Sequence, residues 1–251
     1  MCTLTIVPTV DGYLAGMNRD ELLTRPAALP PEIHERQCMK LAYPREPSGG
    51  TWIACNSYGN LLAVLNWNEI ATASLGEKRR TRGLVIPRLI LEENSSPTDF
   101  GLKRLTLDGV FPFRLIGVFQ NERKVIEWCW DGDGIRRLTW PWSRKHCFSS
   151  SLSDTSATEN RGRVCEDSSL DPAVGSTSWL RTLHRCHEPE PGPYSICVHR
   201  QDASTVSYTE VECDRSSISM RYLSGSPCRK GTFDALAAVQ LRGSLAAQHF
   251  A

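Results

Sequence analysis

The sequence lacks an excess of charge of either sign, a long apolar run and a basic stretch at its beginning. Its 29 Lys and Arg residues and 28 Asp and Glu residues leave a formal net charge of +1 over 251 residues. A global electrostatic attraction to nucleic acid or to an anionic membrane is therefore excluded, and any anion site has to be local. No segment approaches the roughly 20 consecutive apolar residues of a membrane-spanning helix, so no membrane span is predicted.

The beginning of the chain also lacks the features of a secretory signal. Its short apolar run follows no basic residue and is broken by Pro8, so residues 3–7 are predicted to form a strand. The ten cysteines are scattered, mostly inside apolar runs, unlike the dense framework of a small secreted domain. They are predicted to be reduced and mostly buried, which favours a cytoplasmic protein.

The residue pattern predicts hairpins of strands with helices grouped between them. Strands are predicted at residues 3–7, 13–17, 52–56, 61–66, 113–119, 124–130, 135–140, 147–152, 194–200, 205–211 and 218–222. Helices are predicted at 84–93, 96–107 and 233–245, and the polar residues 153–178 are predicted to form a surface connection. This order indicates a single α+β domain over residues 1–251, in which helices cover antiparallel sheets.

Cys2 is the first candidate for chemistry. Removal of the initiator Met would leave its thiol and a free α-amine on one residue. An α-amine titrates near a pKa of about 7.7–8.0, so part of it can act as a base near neutral pH. One residue can then supply both nucleophile and base. The alternative is that Cys2 is an ordinary second residue.

The second predicted strand ends in a polar run, Asn18-Arg19-Asp20-Glu21. Polar groups at a strand end can converge on the end of a neighbouring strand. Asp20 could hold the α-ammonium or orient the thiol, and Arg19 could lower the pKa of the thiol or bind a carboxylate. The alternative is a solvated turn.

These residues belong to an ordered series of short motifs. The series is Met1-Cys2, Asn18-Arg19-Asp20-Glu21 with Arg25-Pro26, Gly49-Gly50-Thr51-Trp52, Asn56 with Gly59, Leu65-Asn66, and Arg82-Gly83. It resembles the signature of the NRDE family, also called the Transport and Golgi organisation protein 2 family, and residues 184–200 are similar to its bacterial members. More distantly, the chain is similar to cysteine N-terminal-nucleophile (Ntn) hydrolases, the choloylglycine hydrolases and penicillin V acylases, which also begin Met-Cys-Thr. This resemblance implies a four-layer αββα sandwich of two antiparallel sheets flanked by helices.

The resemblance also implies site residues. Cys2 would be the nucleophile, Arg19 and Asp20 would position it, and Asn66 would donate to the oxyanion, a contact typically worth about 3–4 kcal/mol of barrier. The arginine of the hydrolases is replaced by Met17, but Arg19 lies two residues later on the same strand face. The residues predicted to contact the substrate are Asn18, Glu21, Trp52, Ser150, Arg82 and His187.

Ser150 occupies the place of a second oxyanion asparagine in the hydrolases. A hydroxyl can donate one hydrogen bond, but it reaches less far than an amide. This departure weakens the case for efficient amide hydrolysis and leaves room for a protein that binds without cutting.

Two further clusters have alternative interpretations. The basic residues 78–82 precede a predicted helix and could hold a phosphate or carboxylate, or form a solvated loop. Thiol and imidazole groups that suit zinc occur at His184, Cys186, His187, Cys197 and His199. The last two fall on a predicted strand and the spacings match no standard closed site, so a loop with His187 near the mouth of the site is preferred and no metal or cofactor is predicted.

The function predicted from these features is hydrolysis of a small non-peptide C–N amide or a related acyl compound. The predicted partner is thus a small acyl or amide ligand. The alternative is a non-catalytic Ntn-type fold that binds or carries acyl-coenzyme A, lipid or haem.

Overall fold

The computed structural model describes residues 1–70, 79–229, 233 and 236–242. Along the chain, the strands in these residues are β1 (Cys2–Pro8), β2 (Tyr13–Leu22), β3 (Leu29–Arg36), β4 (Met39–Arg45), β5 (Ile53–Asn56), β6 (Asn60–Asn66), β7 (Phe113–Phe119), β8 (Lys124–Trp130), β9 (Ile135–Trp140), β10 (Lys145–Ser149), β11 (Ala203–Cys213), β12 (Ser217–Ser224) and β13 (Ala237–Arg242). The helices are α1 (Ile86–Leu89), α2 (Ser95–Arg104), α3 (Asp154–Asp167) and α4 (Thr177–Arg185), with 3-10 turns at Arg82–Leu84, Ser168–Leu170 and Pro227–Arg229.

The strands form two antiparallel sheets. The first has the order β10-β1-β2-β11-β12-β13, and the second runs in chain order from β3 to β9. The second sheet is therefore a meander of hairpins, as the alternating sequence pattern predicted. In the first sheet, β1 lies between β2, which follows it directly in the chain, and β10, which comes from a distant part of the chain.

The two sheets face each other across one apolar core, and helices cover their outer faces. Leu4 of β1 belongs to the same buried cluster as Leu41 of β4 and Ile53 of β5. Each such side chain, when fully buried, contributes about 1.5–3 kcal/mol to the stability of the folded state. A second cluster joins Phe148 of the first sheet to Trp179 of α4, while α1 and α2 lie on the second sheet. The predicted αββα layering is confirmed. None of the helices in the described part of the chain has the length and apolar character that a membrane crossing requires.

Strand alternation decides which side chains face the core. Neighbouring residues on a strand point to opposite faces, and residues paired across strands point to the same face. Cys2 is paired with Arg19 and Thr3 with Asn18 in the register of β1 and β2. Cys2 and Arg19 consequently face the second sheet, whereas Asn18 and Asp20 face the helix layer.

The structure corrects the prediction of a surface connection at residues 153–178. Most of these residues form α3 and the start of α4. The hydroxyl of Ser153 caps α3 by accepting the N–H of Ser156 at 3.0 Å. The buried face of α3 is formed by residues four apart, Ala157, Arg161 and Cys165. Because this face is so short of large apolar residues, the segment lacks the usual periodic signal of a helix.

Two other predicted elements differ from the structure, and two strands of the structure were missed. Residues 237–242 of the predicted helix at 233–245 form β13 on the edge of the first sheet, and the remainder lies almost entirely outside the described residues. The predicted strand at 194–200 contains only an isolated bridge between His199 and Ser204. Strands β3 and β4 were not predicted.

All ten cysteines lie within the described residues, and all are free thiols. Seven of them are buried, Cys38 is exposed, and Cys186 and Cys228 are partly buried. The prediction that most cysteines are buried packing residues is confirmed.

Candidate active site

A pocket of about 350 Å³ opens between the two sheets, where β1 begins and β2 and β6 end. Seven of the ten predicted site residues line it, namely Cys2, Arg19, Asp20, Glu21, Trp52, Asn66 and Arg82. The convergence follows from the topology, since antiparallel neighbours bring the start of one strand beside the end of the next.

Cys2 lies buried at the first position of β1, with 6% of its surface exposed. Its backbone N–H donates to Ser149 Oγ at 2.9 Å, because Ser149 is its partner on β10. Burial raises the pKa of the Cys2 thiol, although the nearby chain terminus acts in the opposite direction. The thiol is therefore protonated near neutral pH, and attack on a substrate would need a base within reach.

Met1 extends β1 by one residue. Its amine donates to the Asp20 carbonyl at 3.1 Å, and the Asp20 N–H donates to the Met1 carbonyl at 2.9 Å. The bond from the terminal amine thus goes to the backbone of Asp20, not to its carboxylate. While Met1 is in place, the nitrogen of Cys2 is an amide and cannot act as a base.

Behind Cys2, the helix-facing side of the sheet contains a buried ion pair between Asp20 and Arg161. Their closest side-chain atoms are 3.6 Å apart, and both side chains are fully buried. Arg161 Nη1 also donates to Thr3 Oγ1 at 2.9 Å and to the Cys2 carbonyl at 3.4 Å. Burial raises the pKa of Asp20, and the Arg161 guanidinium opposes that rise. Arg161 was not predicted from the sequence, in which the only signal was its four-residue spacing from Ala157 and Cys165.

A β-bulge aims a threonine at this pair. The pairing of β11 with β2 shifts register between Thr205, opposite Asp20, and Ser207, opposite Arg19. The extra residue is Val206, and such an insertion re-aims the neighbouring side chains. Thr205 Oγ1 donates to Asp20 Oδ1 at 2.7 Å and accepts the Val198 N–H at 2.8 Å.

On the core-facing side, Arg19 is held by two carboxylates and an indole. Its Nη2 donates to Glu46 Oε1 at 2.6 Å and to Glu21 Oε2 at 3.1 Å. The guanidinium lies 4.6 Å from the centre of the Trp52 ring, at cation–π distance. The two carboxylates balance the charge of Arg19 and of its neighbour Arg25. The predicted placement of Arg19 on the strand face of Met17 is confirmed.

A second group of arginines forms the opposite wall of the pocket. Arg82 Nε donates to the Pro112 carbonyl at 2.8 Å, and Arg80 Nη1 donates to the Thr106 carbonyl at 2.8 Å. The guanidinium of Arg82 lies 5.1 Å from the Phe111 ring centre, and that of Arg79 lies 5.6 Å from it. Burial lowers the pKa of Arg82 to about 10, a sign that its charge is incompletely compensated. The predicted basic run starts at residue 78, which lies outside the described residues.

A glycine contact joins this wall to the second sheet. A Cβ placed on Gly83 would lie 3.0 Å from the Cα of Gly50, so neither position has room for a side chain. The Thr51 N–H donates to the Gly83 carbonyl at 3.1 Å across the same contact. The Gly-Gly-Thr-Trp and Arg-Gly motifs are therefore complementary halves of one junction.

A family model described as Transport and Golgi organisation 2 matches residues 12–165. The chain belongs to this family. The matched segment holds the Asn-Arg-Asp-Glu run, the glycine junction and Arg161, so most of the pocket lies within the region that defines the Transport and Golgi organisation 2 family.

Solved structures show which fold this member of the Transport and Golgi organisation 2 family adopts. A conjugated bile acid hydrolase from Clostridium perfringens, in a variant with alanine in place of the cysteine at position 2, has a TM-score of 0.51 and 9% identity, covering 96% of this chain and 92% of its own. A second variant of that hydrolase has a TM-score of 0.50 and 9% identity, covering 96% of this chain and 97% of its own. Penicillin V acylase from Agrobacterium tumefaciens has a TM-score of 0.47 and 10% identity, covering 89% of this chain and 83% of its own. No curated protein sequence matches the chain. The bile acid hydrolase comparison confirms the predicted Ntn-hydrolase-like fold.

The three remaining predicted residues lie outside the pocket lining. Asn18 faces the helix layer, where its Nδ2 donates to the carbonyls of His184 and Ile196, both at 2.9 Å. The Nε2 atom of His187 lies 3.1 Å from the Nε2 atom of His199. Both side chains thus contact the segment that follows α4 and leads into β11.

Ser150 is part of a turn beside the pocket. Its N–H donates to Asp154 Oδ1 at 2.5 Å, and its hydroxyl accepts the Leu152 N–H at 3.2 Å. Asn68, two residues after the end of β6, donates to the Ser150 carbonyl at 2.8 Å. It is the preceding residue, Ser149, that contacts Cys2.

Proposed function

We propose that this protein is a cysteine Ntn hydrolase that cleaves a small non-peptide C–N amide, or a related acyl compound, with an anionic group. The observation that carries the proposal is the position of Cys2. Its thiol lies in a pocket at the start of β1, with a buried ion pair behind it and Asn66 in the same pocket lining. The family membership and the Ntn-hydrolase-like fold are consistent with this chemistry.

Activation would begin with excision of Met1. The nitrogen of Cys2, 2.9 Å from Ser149 Oγ, would then become a free amine on the same residue as the thiol. Such an amine is partly unprotonated near neutral pH and can accept the thiol proton. Because burial raises the pKa of the thiol, attack requires a base that removes the thiol proton, and the α-amine is that base.

The proposed reaction has two stages. In the first, the Cys2 sulfur attacks the substrate carbonyl carbon, the α-amine takes the thiol proton, and Asn66 donates to the oxyanion. The C–N bond breaks as the resulting ammonium passes its proton to the leaving amine, and a thioester remains on Cys2. In the second stage the α-amine takes a proton from water, the hydroxide attacks the thioester, and the acid leaves as the thiol is reprotonated.

The buried ion pair would act as a positioning device. Arg161 contacts both the Cys2 carbonyl and Asp20, so it fixes the backbone of β1 relative to β2 at the nucleophile. Such fixation matters because misplacement of a reacting atom by about 1 Å can cost about 100-fold in rate.

The arginine wall supports an anionic substrate. Arg79, Arg80 and Arg82 bond to backbone carbonyls or lie against Phe111, whereas Arg19 on the other side is paired with carboxylates. A carboxylate or phosphate of the substrate would compensate the buried charge of Arg82.

Intact mass and a substrate screen test the proposal together. Purified protein is expected to lack Met1, and acyl amides with a carboxylate or phosphate should be hydrolysed by the wild type but not by Cys2→Ala. Asn66→Ala should lower kcat by about 100- to 1000-fold. Arg82→Met should raise KM for the anionic substrates, whereas Arg88→Met, at an exposed position of α1, serves as the matched control. Retention of Met1, or hydrolysis that survives Cys2→Ala, would contradict the proposed mechanism.

A non-catalytic carrier of the same kind of acyl ligand is the second candidate. It is favoured by the pairing of Met1 with Asp20, which keeps Cys2 as a buried amide-linked residue. Binding of an anionic acyl compound by protein that retains Met1, weakened by Arg82→Met and unaffected by Cys2→Ala, would support this function.

A further inference from the structure

Four metal-ligating side chains converge at a point away from the pocket lining. The ligand atoms of His187, Cys197, His199 and Cys228 all lie within 4.8 Å of one another. They come from three parts of the chain: the residues just after α4, the segment that leads into β11, and the 3-10 turn at Pro227–Arg229. Of the five residues considered from sequence, the structure selects three, and it adds Cys228.

One imidazole nitrogen of the cluster contacts the other three ligand atoms. His199 Nε2 lies 3.1 Å from His187 Nε2, 3.2 Å from Cys228 Sγ and 3.8 Å from Cys197 Sγ. One ring nitrogen can donate one proton or accept one, so hydrogen bonding cannot satisfy three such contacts together. An ion that all four atoms coordinate would account for the convergence.

The three contacts of His199 are close to the edges of a tetrahedron around zinc. Zn–N bonds of about 2.0–2.1 Å and Zn–S bonds of about 2.3 Å give edges of about 3.3 Å between nitrogens, 3.6 Å between nitrogen and sulfur, and 3.8 Å between sulfurs. The observed 3.1, 3.2 and 3.8 Å contacts of His199 lie close to these values. Two thiolates and two imidazoles are a donor set that suits zinc, and the two thiolates would neutralise its charge.

The backbone around the cluster is already fixed. The Cys197 N–H donates to the Cys186 carbonyl at 3.0 Å, and the His199 N–H donates to the Gly192 carbonyl at 3.2 Å. This segment is a loop with one bridge rather than the predicted strand, so the side chains of residues 197 and 199 can turn to a common point. Cys197 is buried and the other three ligands are partly buried, which leaves a route for the ion.

We propose that His187, Cys197, His199 and Cys228 form a closed structural zinc site with two thiolate and two imidazole ligands. The ion would tie the loop after α4 to the turn that follows β12. This inference does not depend on the proposed hydrolase function. The two sites are nevertheless linked, because the Val198 N–H, between two of the ligands, donates to Thr205, which in turn donates to Asp20.

The first test uses the full-length wild-type chain, purified under reducing conditions without a polyhistidine tag or chelator. Mass spectrometry of the metal should find about one zinc ion per chain. Cobalt added to the metal-free protein should give the strong visible absorption of a tetrahedral cobalt–thiolate centre, and zinc should abolish it. A featureless cobalt spectrum together with no zinc retained after reconstitution would overturn the proposal.

Variants assign the ligands. Cys228→Ser and His199→Gln should weaken zinc binding by at least about 100-fold, since each removes a ligand rather than its support. The matched control is Cys186→Ser, because Cys186 is adjacent to His187 but its sulfur accepts the Glu188 N–H at 3.4 Å. Zinc should also protect two thiols of the wild type from a thiol reagent.

The remaining outcomes are decisive as well. Full zinc content in Cys228→Ser would refute the assignment, and so would a Cys197–Cys228 disulfide that persists in the reduced, zinc-supplemented protein. Should a variant fail to fold, the cobalt spectrum and the thiol protection of the wild type still decide the question. None of these measurements depends on hydrolase activity, so a failure of the proposed reaction would be distinguishable from a failure of the proposed zinc site.

Discussion

Replacement of Arg161 by Met tests how much of the architecture around Cys2 depends on one buried ion pair. Asp20 and Arg161 are both fully buried and 3.6 Å apart. Removing one partner leaves the other charge uncompensated, which typically costs about 3–5 kcal/mol. For a chain of this length each kcal/mol corresponds to about 2–4 °C in Tm, so Arg161→Met should lower Tm by about 6–20 °C.

The loss should depend on pH in a defined direction. Burial already raises the pKa of Asp20 above 3.8, and Arg161 is the strongest opposing influence. Without Arg161 the folded-state pKa of Asp20 rises further above its unfolded value. In acid the carboxyl of Asp20 is protonated and neutral, so it is compatible with the folded state. Its contribution to the free energy of unfolding is lost as pH rises through the folded-state pKa. The difference in stability between wild type and Arg161→Met should therefore be larger at neutral pH than in acid.

Urea unfolding at several pH values measures this difference. Arg163→Met, at an exposed position of the same helix, is the matched control and should cost less than about 0.5 kcal/mol. The double variant Arg161→Met with Asp20→Asn should be more stable at neutral pH than Arg161→Met alone. Equal losses at all pH values, or a double variant with the sum of the two single losses, would refute the role given to the pair.

Two further predictions concern His184 and Gly83. Burial lowers the pKa of His184 to about 3, so its contribution to stability is present above the unfolded value near 6.5 and is lost as pH falls toward 3. His184→Met should flatten the acid dependence of the urea midpoint, which without this histidine contribution should decline less steeply; an unchanged slope would contradict the reasoning. Gly83→Ala, whose Cβ would lie 3.0 Å from Gly50, should cost about 1–3 kcal/mol and weaken binding of an anionic ligand in calorimetry. Gly134→Ala, where a Cβ meets nothing within 4 Å, is its control, and equal losses in the two variants would count against the glycine junction.

Much of the pocket could be predicted from the sequence because its residues lie at the ends of recognisable strands. Alternation placed Arg19 on the face of Met17, and the β1–β2 hairpin brought Cys2 beside the polar run of β2. Asn66, which lies on the other sheet, was expected at the site from the resemblance to the Ntn hydrolases. Arg161 could not be predicted in the same way, since α3 buries an arginine, an alanine and a cysteine instead of a stripe of large apolar residues. Its partner Asp20 lies 141 positions earlier, so no local pattern connects them.

The missed elements have similar physical causes. β3 is an edge strand with two prolines and mostly exposed side chains, and it therefore shows little alternation. The apolar residues near the end of the chain fit either one face of a helix or a strand. In the described residues 237–242, pairing with β12 stabilises the strand. Cys228 was not associated with His187 because the two meet only when the turn after β12 packs against the loop after α4.

The bulge at Val206 has a consequence for how the length of this protein can change. Ahead of the bulge, β11 matches Thr205 to Asp20, and beyond it the strand matches Ser207 to Arg19. Deleting Val206 would restore a regular ladder in which Thr205 still pairs with Asp20 and Ser207 with Arg19, so the other side chains of β11 would keep their faces. Deleting any other single residue of β11 would shift the pairing on one side of the deletion and turn those side chains to the opposite face. Homologous or engineered chains can accordingly lose residue 206 without changing the faces of β11, whereas the loss of one residue elsewhere in this strand is far more disruptive. Insertions are better accommodated at the exposed turn around residues 131–134, which lies between two strands of the other sheet.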